Sequence, residues 1–132
     1  MIRGLLGVIT GFLVWSVLWF FLNWLLPIVF PKQFNTDGTT ENAILNLIIV
    51  LLSFDFSFIS GYINAIISRV NQLNFALVQG VLQLAAGMYI QSQYWHVLPL
   101  WFHAVFLIFI IPGVLAGSLY RNVNVSRKHY ET

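Results

Sequence analysis

The segment from Ala43 to Arg69, AILNLIIVLLSFDFSFISGYINAIISR, leaves the chain few folds to adopt: it is long enough to cross a bilayer and carries an acidic residue, Asp55, near its middle. As a helix, about 18 to 20 apolar residues span the roughly 30 Å of hydrocarbon. An ionised carboxylate at that depth costs about 3 kcal/mol or more on insertion scales, so Asp55 marks a candidate site and calls for a partner.

Three more apolar runs accompany it, giving candidate spans at about 4–30, 43–68, 74–93 and 97–120. The chain is 59% hydrophobic and only 8% charged, against about 25% charged in an ordinary soluble domain. A soluble fold of 132 residues could not hide that much apolar surface. The expected fold is therefore all-α: a polytopic membrane protein with four transmembrane helices in a single domain, residues 1–132. The first run exceeds the roughly 7 to 15 residue core of a signal peptide and reads as a retained helix. Arg3, Arg69, Arg121, Arg127 and Lys128 fall on one side of a four-span arrangement and Lys32 on the other. The positive-inside rule then places both termini in the cytoplasm.

Small and polar residues sketch the helix contacts. Gly7 and Gly11 have the spacing that lets two helix backbones approach closely, and packing within the protomer is preferred to a dimer face. In the second span Ser53, Ser57, Ser60, Gly61, Asn64 and Ser68 recur at three- and four-residue steps, on one helical face. Ala76, Gly80, Gln83 and Gly87 do the same in the third, where Gln79 extends a polar stripe. Gly113 and Gly117 repeat the glycine spacing in the fourth, Pro99 suits a first helical turn, and Pro112 with Gly113 predicts a kink in the second half. Asp55 sits some 160 to 200° away from Ser53 and Ser57, among Leu51, Leu52, Phe58, Ile59 and Tyr62. It needs a second interface, with another helix of the chain or with a neighbouring subunit. Counting about 1.5 Å per residue from the outer helix ends brings Gln83 and Ser16 to its level, about 15 to 21 Å deep, and His103 to about 9 Å. Another helix is expected to cover Asp55, with Gln83 or Ser16 as its nearest polar partner, and His103 is expected not to touch it.

Trp24, Trp95, Trp101 and His103 read as interface anchors, whereas Trp15 and Trp19 lie too deep for an aromatic belt and should pack between helices or face lipid. Pro27 and Pro31 should end the first helix. In the loop PKQFNTDGTTEN, residues 31–42, Thr39 or Thr40 can cap the second helix, with Glu41 in its first turn. Asp37 and Glu41 without a histidine make a weak metal constellation and are read as solvated. There is no cysteine, so disulfides, thiolate metal sites and cysteine nucleophiles are excluded. His103 has no second histidine at i+3 or i+4, so no metal and no cofactor is expected. A nucleophile with a base in reach is missing as well, so no enzyme activity is expected. Three basic residues in the C-terminal tail fall short of the roughly four to eight that mark a lipid-specific patch, and nucleic-acid binding is not expected.

HVLPLWFHAVFLIFIIPGVLAGSLYR, together with SGYINAIISR, resembles a family of small uncharacterised bacterial four-helix integral membrane proteins. A Gly-aromatic-x-x-Ala-x-Ile segment there ends one helix and a Pro-Leu-Trp-aromatic-His motif opens the last. The matching residues are Gly61, Tyr62, Ala65, Ile66, Pro99, Leu100, Trp101, Phe102, His103, Pro112 and Gly117, across about half of the chain. The resemblance implies a multi-pass protein of the bacterial inner membrane and no particular activity; Asp55 is outside its pattern. Two functional readings follow. The first is a structural or accessory bundle that packs against itself or a larger membrane complex, with the lipid bilayer as its surroundings. The alternative is a small oligomeric transporter or channel in which Asp55 binds a proton or cation; nothing in the residues names a small-molecule ligand.

Overall fold

A computed structural model describes residues 1–36 and 38–131, with side chains as far as Lys128; Asp37 of the acidic loop lies outside the described residues. Five helices appear among them: α1 Ile2–Val29, α2 Ala43–Ser68, α3 Gln72–Gln93, α4 Leu100–Ile108 and α5 Ile110–Glu131. α1, α2, α3 and the continuous stretch Leu100–Lys128 are each long and apolar enough to cross a membrane. The protein is thus an all-α bundle of four spans.

Several boundaries differ from expectation, for local reasons. Pro27 lies inside α1, which runs on to Val29. The cap of α2 is Asn42, whose side chain accepts the amides of Ile44 and Leu45, so Glu41 precedes the helix. Thr40 is engaged elsewhere: its hydroxyl donates to the Gln33 carbonyl and accepts the Asn42 amide, closing the 31–42 loop on itself. The fourth span is interrupted at Phe109, three residues before Pro112. A proline has no N–H for the carbonyl four residues earlier, here Ile108, and its ring crowds that carbonyl, so the disturbance falls upstream of the proline. The α2–α3 turn is tight: Val70 N–H reaches the Ser68 carbonyl at 2.7 Å around Arg69 at φ 62°, and Asn71 adopts the left-handed conformation that asparagine tolerates well. Beyond residue 120 the last helix continues to Glu131.

The four spans form a rhombus. Among the described residues α2 packs against every other helix and α3 likewise, whereas the backbones of α1 and α4–α5 stay apart on opposite corners. Side chains meet across that long diagonal, with the Trp19 and Phe106 rings 5.1 Å apart. Two kinds of packing divide the bundle along its length. Toward the Arg69 end, Gly4, Gly7 and Gly11 bring α1 directly onto Phe75, onto Asn64 and Ser68, and onto Gln79. Toward the 31–42 loop, Trp15, Trp19, Leu22, Ile49, Phe102, Phe106 and Ile110 make an aromatic-rich core. Bulky rings hold the helices apart at that end, and a cavity opens among them.

Candidate functional site

α2 and α5 run side by side with their backbones almost in contact. A Cβ placed on Gly61 would overlap the Val114 carbonyl oxygen, one on Gly117 would overlap the Phe58 carbonyl oxygen, and one on Gly113 would lie 2.9 Å from Ser57 Cβ. Such an approach permits Cα–H···O contacts and close van der Waals packing, which hold helices together in lipid where burial of apolar surface gives no drive. Gly61 and Gly117 are buried in this contact, whereas Phe102 and His103 are buried on α4, toward the other end of the fourth span. Gly80 and Gly87 face Ile111 and Ile110 from α3.

Across the short diagonal, α2 and α3 share a chain of buried hydrogen bonds. Ser68 Oγ donates to Asn64 Oδ1 at 2.5 Å. Asn64 Nδ2 donates to Gln79 Oε1 at 2.6 Å and to the Phe75 carbonyl at 3.2 Å. Gln79 Nε2 and Gln83 Nε2 both donate to Ser60 Oγ, at 2.9 and 3.1 Å, and Ser60 passes its proton to the Ser57 carbonyl at 2.8 Å. A further bond runs from Gln72 Nε2 to the Ala65 carbonyl at 3.3 Å, and at about 0.6 kcal/mol for an average interhelical bond in a membrane the bonds between α2 and α3 give about 3 kcal/mol. Their larger effect is on register, because sliding either helix would strand several buried amides at once. Trp15 Nε1 and Gln83 Oε1 are buried without a partner among the described residues.

Neither Gln83 nor Ser16 meets Asp55. Gln83 is committed to Ser60, and Ser16 Oγ donates to the Phe12 carbonyl of its own helix at 2.9 Å. Asp55 is exposed on the outer face of α2, with no polar partner among the described residues. The helical-wheel argument placed it correctly opposite Ser53 and Ser57; what fails is the assumption that a helix of this chain covers that side. α2 meets α1 on one flank and α5 on the other, which leaves the strip Ile44, Ile48, Leu51, Asp55, Ile59 and Ile66 uncovered.

His103 is buried, stacked under Trp95 with ring centroids 4.6 Å apart, while Trp24, Trp95 and Trp101 are exposed. Its Nδ1 lies against Gln91 Oε1. An amide oxygen only accepts, so Nδ1 is the donor of this pair; Nε2 is buried with no partner among the described residues. Gln91 was not singled out in the sequence, although it continues the series Ala76, Gly80, Gln83, Gly87 by one more four-residue step. Asn46 likewise continues the α2 polar face backward from Ser53 by seven residues; it is buried, with Nδ2 donating to the Thr40 carbonyl at 3.1 Å.

Both Asn46 and Gln91 line the cavity at the loop end, about 420 Å3 in volume, walled by Trp19, Phe20, Ile49, Tyr89, Tyr94 and Phe102. A second hollow of about 630 Å3 lies at the other end, beside Met1, Arg3, Val70 and Phe75. Asp55 borders neither of them. No group of three or more His, Cys, Asp or Glu suited to a metal ion occurs among the described residues. No family model, curated protein or solved structure matches the chain.

Proposed function

We propose that the protein is an accessory bundle of a bacterial inner membrane, with both termini cytoplasmic, that docks through the Asp55 strip of α2 against a transmembrane segment of a larger complex. The observation that carries this reading is the bare carboxylate itself: Asp55 stands in mid-span, exposed and without a polar partner among the described residues. In hydrocarbon such a group is costly until another polar side chain meets it. A second copy is poorly suited to that task. The six Lys and Arg are residues 3, 32, 69, 121, 127 and 128. Arg121 follows Tyr120, which touches Tyr62, and Tyr62 is seven residues, or about 10 Å, beyond Asp55. The fitting partner is therefore a different helix that presents a basic or hydrogen-bond-donating side chain at mid-membrane. The transporter reading has less support, since neither hollow reaches Asp55 and the polar seam between α2 and α3 is closed by direct side-chain bonds.

Photo-crosslinkers at Leu51 and Ile59 in native membranes test the reading, with Leu82 on the lipid-facing side of α3 as control. The expected result is a discrete adduct with another membrane protein from the two α2 positions, absent at Leu82 and lost on Asp55→Leu. Lipid adducts alone at all three positions would overturn it, and an adduct the size of a dimer would redirect it to self-association.

A further inference from the structure

The cavity at the loop end has the features of a ligand site independent of Asp55. Its volume of about 420 Å3 falls within the range of about 300 to 1,000 Å3 usual for small-molecule pockets. Its walls combine aromatic and aliphatic side chains with the uncharged polar groups of Asn23, Thr39, Thr40, Asn46, Gln91 and Gln93, and none of its described lining residues is charged. Two buried amides on it are half-satisfied. Gln91 gives its Oε1 to His103 and Asn46 gives its Nδ2 to the Thr40 carbonyl. That leaves Gln91 Nε2 as a donor and Asn46 Oδ1 as an acceptor, neither with a partner among the described residues. One side of the cavity is lateral, where Phe20 and Tyr89, 69% and 71% exposed on α1 and α3, border it; exposed Gly38 and Gln93 border it at the loop end.

These constraints select a ligand class. An ion entering the cavity would lose its hydration with no countercharge among the described lining residues to replace it. A purely apolar chain would leave the amide donor and acceptor desolvated and unmatched. A neutral head that carries both a carbonyl and a hydroxyl satisfies the pair, and a lateral mouth lets an attached acyl chain remain in the bilayer. We propose that this cavity binds the uncharged head of a membrane amphiphile of the acylglycerol class, its ester carbonyl accepting from Gln91 Nε2, its hydroxyl donating to Asn46 Oδ1, and its chain leaving between Phe20 and Tyr89.

The test uses the whole protein in phosphatidylcholine nanodiscs and a monoacylglycerol carrying a diazirine on its acyl chain. Labelling should concentrate on residues 19–23 and 89–98, and unlabelled monoacylglycerol should compete at least tenfold better than the fatty acid of equal chain length. Free glycerol should not compete, which separates a membrane amphiphile from a soluble polyol. Asn23 is exposed at the cavity and its side chain bonds only to the Trp19 carbonyl of its own helix, so Asn23→Trp should fill the mouth and remove most of the labelling without moving the thermal transition. Gln91→Glu keeps an oxygen for His103 Nδ1–H but removes the amide donor, and should weaken binding several-fold. Should Gln91→Glu fail to fold, Asn23→Trp alone decides. Labelling spread evenly over lipid-facing residues, equal competition by the fatty acid, competition by glycerol alone, or full labelling of Asn23→Trp would each overturn the proposal.

Discussion

Adding one methyl group at Gly61 and at Gly80 should have opposite effects, and the difference can be worked out from what each methyl would meet. At Gly61 the obstacle is the carbonyl oxygen of Val114, with the carbonyl carbon 2.8 Å and Cα 2.9 Å away. Main-chain atoms cannot rotate aside, so α2 and α5 must separate as bodies. That loosens the contact at Gly117 as well, because Gly117 sits on the Phe58 backbone of the same crossing. Overpacking costs about 1 to 3 kcal/mol, and a rigid backbone obstacle puts Gly61→Ala at the upper end. The helix-propensity gain of Gly→Ala, about 1 kcal/mol, offsets part of it, which leaves a net loss of about 1 to 2 kcal/mol. At Gly80 the nearest atom is Ile111 Cγ1 at 3.2 Å, with Ile111 Cα at 3.5 Å. A side-chain adjustment of a few tenths of an ångström suffices, so the propensity gain is the larger effect and Gly80→Ala should be neutral or stabilising by up to about 1 kcal/mol. Because Gly61 and Gly117 share one crossing, Gly61→Ala combined with Gly117→Ala should cost less than the sum of the two single changes. Unfolding in mixed micelles with increasing dodecyl sulfate, followed by tryptophan fluorescence and circular dichroism, measures all four variants. Equal losses at Gly61 and Gly80, or a neutral Gly61→Ala, would refute the close backbone packing of α2 on α5.

The natural absence of cysteine gives a clean background for topology mapping: cysteine at Thr36 should label from outside intact cells and cysteine at Arg127 only after permeabilisation, and the reverse would invert the orientation. Gln79→Leu removes the acceptor of Asn64 and a donor to Ser60, so it should destabilise the bundle by about 1 to 3 kcal/mol in the same micelle titration; a loss below about 0.5 kcal/mol would mean the seam is not structural. Gln91→Leu strands His103 Nδ1–H and should cost about 1 to 3 kcal/mol, read as a lowered thermal transition that Gln91→Glu restores. Asp55→Leu removes no bond within the chain and should leave the stability of the isolated bundle within about 0.5 kcal/mol; a larger loss would reveal an intrachain partner.

The four spans were legible because length and hydropathy decide what crosses a membrane, and the rotational phase of each helix was legible because small and polar residues repeat at helical spacing. Ser57, Ser60, Gly61, Asn64, Gly80 and Gln83 are all buried for that reason. Phase alone does not say which helix lies opposite. Whether Asp55 is covered depends on how many helices surround α2, and the rhombus supplies three neighbours that leave one strip free. Depth counted along the axis had the same weakness: Ser16, Gln83 and Asp55 can share a level and still point to different sides of the bundle. Gln91 and Asn46 escaped notice because each lies in a terminal turn, past the point where the repeat of small residues had been followed. The break at Phe109 shows the limit for prolines, whose position is plain in a sequence while the distortion falls a turn earlier.

The two ways in which α2 uses polar groups explain its central position. Its serine and asparagine face is spent inside the protomer, on α3 and, with Gly61, on α5; each of those contacts needs a backbone approach that only small residues allow. With that face occupied, the opposite side cannot be buried by the chain's own helices, since α1 and α5 already flank it. A carboxylate retained on the uncovered side is therefore not a remnant of the bundle's own packing: replacing Asp55 by leucine would break no bond within the protomer and would remove a cost in hydrocarbon. Its presence follows if the strip has a polar partner outside the protomer. The aromatic half of the bundle is independent of that requirement, because the cavity lined by Asn46 and Gln91 is bordered by α1, α3 and the 31–42 loop and does not reach Asp55.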